Sequence, residues 1–208
     1  MPGPTPEPPN LRRTQSDGRA ERRLRTQRAI VDAHTELLRS GEMRPTAARV
    51  AERAGVSVRT LWAAFGDMEG LLRATTEFWL AADDELRAQI DPMLPLGERI
   101  ARFCAERARR LENISPAARA AALMEADSEA LRESRRGHVG RVLHDVERTF
   151  GPELDACPDR TAAFDALVAV TSWSSWSMLR DDLGRSVSAS RAAMVCAVES
   201  ILRARVAG

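Results

Sequence analysis

The chain has 208 residues, of which 44% are hydrophobic and 29% charged, a balance typical of a globular protein. It contains no run of about 18 apolar residues, which argues against a membrane-spanning helix. Residues 1–10 are proline-rich and lack an apolar segment, so they do not resemble a secretory signal. The cysteines are three in number and widely spaced, which indicates reduced thiols in a cytoplasm rather than a disulfide framework.

The formal net charge of +1 conceals an uneven distribution of charge along the chain. Residues 1–66 contain 12 arginines and 7 acidic residues, a net charge of +5, whereas residues 67–208 contain 19 arginines and 23 acidic residues, a net charge of −4. A basic N-terminal third joined to an acidic remainder suits a protein that presents one end to a polyanion. A chance imbalance is the alternative reading.

The N-terminal segment is predicted to be a disordered basic arm over residues 1–22, because residues 1–20 hold five prolines and almost no periodic apolar positions. A first helix is predicted from about Glu21 to Arg39, with an apolar stripe that includes Ile30 and Leu37. No sustained alternation of apolar and polar residues predicts a strand. The fold class is therefore predicted to be all-α.

Two short helices joined by a tight turn are predicted at residues 46–65. Thr46 is placed to cap the first of them, Gly55 is able to adopt a left-handed conformation in the turn, and Ser57 is placed to cap the helix over Val58–Phe65. Short helices of this length do not persist alone and need packing against the first helix. This arrangement is the helix-turn-helix pattern, whose second helix enters the major groove of DNA.

The spacing of apolar residues in the second short helix, Val58–Phe65, predicts that one of its faces points into the protein and the other faces solvent. Leu61 and Phe65 are predicted to point inward, so that Arg59 faces outward and is able to pair with guanine through two hydrogen bonds. Thr46 offers its hydroxyl and nearby backbone amides to a phosphate. The predicted DNA-binding residues are Thr46, Ala47, Ala48, Arg49, Ser57, Val58, Arg59, Thr60, Trp62 and Ala63.

Arginines of the arm and the first helix are expected to contact the phosphates of the flanking DNA backbone or to enter the minor groove. A merely solubilising tail is the alternative. The arginines are Arg12, Arg13, Arg19, Arg22, Arg23, Arg25 and Arg28.

The remaining chain is predicted to be helical throughout. Asp67 is placed to cap a longer fourth helix, and prolines are expected to mark the starts or stops of the helices that follow. These helices are predicted over residues 95–113, 116–135, 137–150, 158–182 and 188–206.

Four segments resemble the DNA-binding domain of the tetracycline-repressor (TetR) family of transcriptional regulators, and the resemblance covers about residues 23–83. They are Arg28–Ala33, Thr46–Ser57, Thr60–Phe65 and Glu69–Leu72. The resemblance implies an N-terminal three-helix helix-turn-helix domain over residues 23–83 and a C-terminal helical domain over residues 84–208 that binds an effector and dimerises. It further implies a homodimeric regulator, usually a repressor, that binds an approximately palindromic operator.

Three positions depart from the family pattern. Relatives usually carry Tyr where this chain has Trp62, His where it has Ala64, and Lys where it has Met68, and those side chains contact phosphates. The Trp62 indole is still able to donate one hydrogen bond, but Ala64 and Met68 have no group that replaces the missing contact. Weaker DNA binding with a flatter salt dependence is therefore expected, unless the basic arm compensates.

The resemblance also assigns roles within the C-terminal domain. Helices 158–182 and 188–206 would form the homodimer interface, with an apolar face of Leu167, Val170, Leu179, Val195, Val198, Ile201 and Leu202; completion of a monomer core is the alternative. The candidate ligand-pocket residues are Phe103, Cys104, Met124, His138, Val142, Trp173, Trp176 and Met178. Their character suits an apolar or aromatic effector, although the two tryptophans also fit a core or an interface.

No catalytic motif, metal-ligand spacing or cofactor-binding pattern is recognised in the sequence, so neither an enzyme nor a cofactor or metal is predicted. Two runs of adjacent acids are predicted to be solvated faces or helix caps, namely Asp83, Asp84 and Glu85, and Asp181 and Asp182. The leading hypothesis is a ligand-responsive DNA-binding regulator. The alternative is a helical dimer whose DNA binding is impaired and which binds a protein or a small molecule.

Overall fold

The computed structural model describes residues 11–203, with side chains from Gly18 onward, and every regular element in this part of the chain is helical. The predicted all-α class is confirmed. A 3-10 turn follows α5 and a π-helical turn, Met178–Asp182, follows α8. The α-helices are α1 (Leu11–Arg39), α2 (Ala47–Arg53), α3 (Val58–Phe65), α4 (Met68–Glu85), α5 (Leu96–Met124), α6 (Glu129–Asp155), α7 (Arg160–Val170), α8 (Trp173–Ser177) and α9 (Val187–Arg203).

Helix α1 begins at Leu11 and not near Glu21, so residues 11–22 are helical where a disordered arm was predicted. The prolines of the N-terminal segment all precede residue 10, and residues 11–22 contain no proline and include four arginines, which are good helix formers. Residues 1–10 and the side chains of Arg12 and Arg13 lie outside the part of the chain that the structure describes.

The chain divides into two compact units, unit 1 extending to Thr75 and unit 2 beginning at Thr76. This division lies earlier in α4 than the predicted domain boundary at residues 83–84. Asp83, which the predicted boundary placed in the N-terminal domain, is held by Arg110 of unit 2, with Oδ2 2.7 Å from Nη2.

The core of unit 1 joins α1 to the two short helices. Ile30 and Leu37 of α1 are buried with Val50 of α2 and Leu61 of α3, and Leu71 completes the cluster. The buried imidazole of His34 lies 2.9 Å from the Thr75 hydroxyl, which itself donates to the Leu71 carbonyl. His34 Nδ1 is therefore the donor to Thr75, and burial lowers the pKa of His34 to about 4.

The core of unit 2 is built mainly from α5, α6, α7 and α9. Phe103 and Leu111 of α5 pack with Val146 and Phe150 of α6, and Met194 of α9 belongs to the same cluster. The rings of Phe103 and Phe150 meet edge to face, with centroids 5.1 Å apart. Within residues 11–203, no helix is both long enough and apolar enough to span a bilayer.

Two prolines that were expected to start or stop helices lie inside them. Pro116 is within α5, so the predicted interruption at residues 113–116 is wrong. Pro152 is within α6, which continues past the predicted end at residue 150 and also runs through the predicted interruption at residues 135–137. A proline inside a helix costs about 3 kcal/mol, since it removes a hydrogen bond and crowds the preceding turn. Buried residues on both sides of each proline keep the helix continuous, because they stabilise it more than the proline destabilises it.

The helix predicted over residues 158–182 is in fact divided into α7, α8 and the π-helical turn. The Thr171 hydroxyl donates to the Leu167 carbonyl at 2.7 Å, and the Ser172 hydroxyl donates to the Ala169 carbonyl at 2.8 Å. Such hydroxyl-to-backbone bonds compete with the helical ladder. The other predicted interface helix, 188–206, corresponds to α9, and its residues 204–206 lie outside the described part of the chain.

Candidate nucleic-acid interface

The turn between α2 and α3 is fixed by local hydrogen bonds. Gly55 has φ +66°, a left-handed conformation that glycine adopts without the strain of a Cβ atom. Thr46 caps α2, because its Oγ1 accepts from the Arg49 amide at 3.3 Å. Ser57 caps α3 in the same way, accepting from the Thr60 amide at 3.1 Å. The structure therefore contains a helix-turn-helix at the predicted position.

Helix α3 buries one side and exposes the other. Leu61 is fully buried in the core of unit 1, whereas Val58, Arg59, Thr60 and Ala63 are exposed. The hydroxyls of Ser57 and Thr60 lie 2.8 Å apart and share a hydrogen bond. This bond fixes the first turn of the helix, so that its exposed N-terminal residues have a defined orientation.

Arg59 differs from Arg49, the other arginine among the predicted DNA-binding residues. It is exposed, and no hydrogen bond or ion pair joins it to another described residue. Arg49 instead lies 2.9 Å from Glu52 and 3.3 Å from Glu42, and its bonds to these two carboxylates raise the pKa of its guanidinium. Arg59 can therefore bind an external anion without breaking an ion pair within the protein. Arg49 would first have to give up one of its carboxylate partners in order to bind a phosphate.

The remaining predicted DNA-binding residues lie around these two helices. Thr46 and Ala48 are exposed at the start of α2, and Ala47 is partly buried against the core of unit 1. The predicted DNA role of these residues stays a prediction. On α1 the arginines with described side chains are all exposed, at Arg19, Arg22, Arg23, Arg25 and Arg28.

The three positions that depart from the TetR pattern have structural roles in unit 1. Trp62 and Met68 are half-buried and pack against its core. The Ala64 carbonyl accepts a hydrogen bond of 3.0 Å from the Gln27 side chain, which ties the end of α3 to α1. Met68 therefore contributes packing at a position where relatives place a charged side chain.

Gly70 has a role that the sequence analysis did not find. A Cβ atom at this position would lie 2.1 Å from the Phe65 carbonyl oxygen, well inside the contact distance of carbon and oxygen. The Gly70 amide also donates to Asp67 Oδ1 at 2.9 Å, which confirms Asp67 as the cap of α4. Glycine is thus required for α4 to begin directly against the end of α3.

The candidate ligand-pocket residues of unit 2 differ in how deeply they are buried. Phe103, Cys104, Val142 and Trp176 are buried in its apolar core. Met178 is exposed, and Met124, His138 and Trp173 are half-buried. An open groove between α5 and α9 contains none of these residues; its lining includes Ala101, Arg191, Val195 and Glu199. The pocket assignment stays a prediction.

A buried cluster of charges in unit 2 contradicts the prediction that Asp83 is solvated. Asp83 is only 1% exposed, and its two oxygens lie 2.9 and 2.7 Å from Nε and Nη2 of Arg110. Arg110 also donates to Glu106 at 3.0 Å and to Asp145 at 2.8 Å. Burial alone would raise the pKa of Asp83, but the bonds from Arg110 outweigh it and hold that pKa below its usual value.

Arg107 and His138 border this cluster. Nε and Nη2 of Arg107 donate to the Thr171 carbonyl at 3.2 and 2.9 Å, which caps the end of α7. Burial, followed by the charge of Arg110, lowers the pKa of Arg107 to about 10. Burial, followed by the charges of Arg107 and Arg141, lowers the pKa of His138 to about 4, so its imidazole is neutral near pH 7.

The fold is shared with solved structures of bacterial regulators. One is a transcriptional regulator from Rhodococcus sp. Rha1, with a TM-score of 0.62, 18% identity and coverage of 88% of this chain and 97% of that one. Another is a protein assigned to the TetR family of transcriptional regulators, from Mesorhizobium loti MAFF303099, with a TM-score of 0.60, 17% identity and coverage of 88% and 98%. No protein-family model matches the chain, and no curated protein does.

Proposed function

We propose that this chain is a DNA-binding transcriptional regulator of the TetR type and that it reads DNA with α3. The observation that carries the proposal is the exposed face at the start of α3, where Arg59 has no internal partner among the described residues and Ser57 and Thr60 fix the first turn. A guanidinium in this position is suited to two hydrogen bonds with a guanine edge in the major groove. The shared fold with two regulators supports the same role.

The proposed regulator acts as a homodimer on an approximately palindromic operator, because a helix-turn-helix on each protomer reads one half-site. The interface is proposed to involve α7, the segment after it and α9. Leu167, Val198 and Leu202 of the predicted apolar face are buried within the protomer, so they serve its own core. Val170, Leu179, Val195 and Ile201 remain half-buried and are the residues available to a partner.

We further propose that unit 2 binds a small effector and that the outcome of operator binding is repression, in the cytoplasm where the operator lies. If the effector lowers affinity for the operator, the operator must lower affinity for the effector by the same factor. Equal changes in the two affinities are therefore a quantitative test of ligand response. An effector that binds equally well with and without the operator would exclude this part of the proposal.

The first experiment is selection of DNA fragments by the purified full-length protein at about 0.15 M salt with excess competitor, because weak electrostatic binding fades under these conditions. The affinity for the selected sequence is then compared between the wild type, Arg59→Ala and Arg102→Ala. Arg102 is a matched control, since it is exposed and lies in unit 2 beside Glu98.

Arg59→Ala is expected to weaken binding to the selected sequence by about 10- to 100-fold, with a much smaller effect on unrelated DNA, because it removes a base contact. Arg102→Ala is expected to leave both affinities within about twofold of the wild type. Recovery of no reproducible sequence, or an Arg59→Ala variant that binds the selected sequence as the wild type does, contradicts DNA reading by α3.

A second candidate function is a helical dimer that has lost DNA binding and serves as a protein- or small-molecule-binding module. The observation that favours it is the apolar packing of Met68 and the lack of a polar side chain at Ala64. This function predicts no sequence selectivity in the same experiment. The unpaired Arg59 and the exposed arginines of α1 weigh against it.

A further inference from the structure

Helix α1 extends beyond the helices against which it packs. Ile30 and Leu37 of its inward face are buried in the core of unit 1. Gln27, which precedes them, donates to the Ala64 carbonyl at 3.0 Å and so marks the place where α1 meets the end of α3. Every residue from 19 to 25 is exposed. This part of α1 therefore projects past α3 into solvent.

The inward face of α1 continues into the projecting part as a row of arginines. Residues three, four or seven positions apart share one face of a helix, so Arg23 lies in line with Gln27 and Ile30. Arg19 lies one turn before Arg23, and Arg22 lies beside them both. From the rise of a helix, Arg23 is about 6 Å and Arg19 about 12 Å beyond Gln27 along the axis. We call Arg19, Arg22 and Arg23 the inner row.

Among the described residues, no carboxylate is bonded to the inner row. Arg19 and Arg23 form no hydrogen bond or ion pair there, and Arg22 donates only to the backbone carbonyl of Gly18, at 3.4 Å. The opposite face of α1 alternates acids with arginines, which is typical of a solvated helix surface. Its members are Glu21, Arg25, Arg28, Asp32 and Glu36. The positive charge that is not neutralised locally therefore lies on the inward face, and it suits a polyanion.

The inner row begins next to the end of α3, where the proposed reading helix has no polar side chain to offer. Helix α3 has 8 residues and is therefore about 12 Å long, close to the width of the major groove. When its first turn meets base edges, its last turn lies at the edge of the groove, beside a phosphate backbone. Ala64 and Met68 provide no hydrogen-bond donor from their side chains at this edge. The nearest exposed cations on α1 are those of the inner row, since Gln27 joins α1 to Ala64.

We propose that the inner row binds the phosphate backbone of duplex DNA beside the half-site that α3 reads, and that Arg25 and Arg28 on the opposite face do not. This inference rests on the proposed function and deepens it, because it locates phosphate contacts that the end of α3 does not supply. It narrows the expectation from the sequence, in which all the arginines of α1 were candidates. Contacts to phosphates raise the affinity for every DNA sequence alike and make that affinity more dependent on salt.

The test is titration of a fluorescein-labelled duplex of about 30 base pairs and unrelated sequence with the full-length protein, followed by anisotropy at about 50 to 200 mM salt. Two double variants are compared with the wild type. Arg19→Ala/Arg23→Ala removes two members of the inner row, and Arg25→Ala/Arg28→Ala removes two exposed arginines from the opposite face. The two variants lose the same charge, and alanine preserves the helix in both.

Each phosphate contact contributes about 0.9 to the slope of log affinity against log salt concentration. Arg19→Ala/Arg23→Ala is therefore expected to reduce the slope by about 1.8 and the affinity at about 0.1 M salt by at least about tenfold. Arg25→Ala/Arg28→Ala is expected to change the slope by less than about 0.5 and the affinity by less than about threefold, because salt screens charges that do not touch the DNA.

The proposal is overturned if the unrelated duplex is not bound, if the two double variants change the slope equally, or if neither changes it. It is also overturned if a single-stranded oligonucleotide binds as tightly as the duplex and loses as much affinity in Arg19→Ala/Arg23→Ala.

The selected sequence separates this inference from DNA reading by α3. Arg19→Ala/Arg23→Ala is expected to weaken binding to the selected and the unrelated sequence by the same factor, whereas Arg59→Ala acts mainly on the selected one. An unchanged slope in the inner-row variant, with a loss of selectivity in Arg59→Ala, removes the inner row and keeps the reading helix. A reduced slope without any selected sequence does the reverse.

Discussion

The substitution Gly70→Ala tests how closely the start of α4 is packed against the end of α3. The new Cβ atom would lie 2.1 Å from the Phe65 carbonyl oxygen, so the two backbones must separate by about 1 Å to restore an ordinary contact. The obstacle is a backbone atom, which has no side-chain rotamer that relieves the overlap. Overpacking of this kind costs about 1–3 kcal/mol, and a backbone clash belongs at the upper end.

Alanine is otherwise the better helix former by about 1 kcal/mol, so the free energy of unfolding of Gly70→Ala is expected to fall by about 2 kcal/mol. Gly140→Ala is the matched control. Gly140 is an exposed position within α6 where an added Cβ atom would meet nothing within 4 Å, so this variant is expected to gain about 0.5–1 kcal/mol.

Urea unfolding followed by far-ultraviolet circular dichroism measures the free energy of unfolding of both variants. The dependence of that free energy on urea concentration shows whether each variant exposes the same surface on unfolding as the wild type. DNA binding supplies a second readout, because displacement of Phe65 moves the end of α3. A Gly70→Ala variant as stable as Gly140→Ala, with an unchanged slope and unchanged DNA binding, would refute the close approach of the two helices.

Further measurements address the buried polar groups. Asp83→Asn is expected to lower the free energy of unfolding by about 3–5 kcal/mol in urea, because it removes the charge that faces buried Arg110; a loss below about 1 kcal/mol contradicts that role. The pKa of His34 is about 4 in the folded protein and about 6.5 when exposed, so the unfolded state binds more protons and stability falls as the pH drops from about 6.5 to about 4. His34→Leu should reduce the dependence of urea stability on pH over that range, with the remainder coming from His138, whose pKa is also lowered to about 4; an unchanged pH dependence contradicts the assignment. Burial raises the pKa of Cys104 to about 12, so a thiol reagent should label exposed Cys196 in the native protein and Cys104 only after unfolding; rapid native labelling of both contradicts this.

The helix-turn-helix was predictable from the sequence because its signals are local. Thr46, Ser57 and Asp67 each accept a backbone amide within three residues along the chain, and Gly55 adopts its conformation inside a single turn. These interactions involve residue types whose preferences hold in many proteins. The position of Leu61 beneath the exposed face of α3 follows from helical periodicity alone.

Features that depend on distant residues were not predictable. An acidic side chain followed directly by two more acidic residues is usually exposed, and nothing near Asp83 in the sequence shows that Arg110, 27 residues away, would meet it. Pro116 and Pro152 suggest helix ends because their local cost is large, while the packing that keeps α5 and α6 continuous comes from other helices. Tertiary packing decides each of these cases.

The distribution of tryptophans gives the protein an optical property. The chain has four tryptophans and no tyrosine, so its intrinsic emission is that of indole alone. Trp176 is fully buried, with its N–H donating to Glu112 at 2.8 Å, whereas Trp62 is partly exposed on α3 and is the tryptophan of unit 1. Emission from a buried indole and from a hydrated one differs in wavelength. The unlabelled protein therefore carries an intrinsic fluorophore on the same helix as Arg59, and this indole is the one in unit 1.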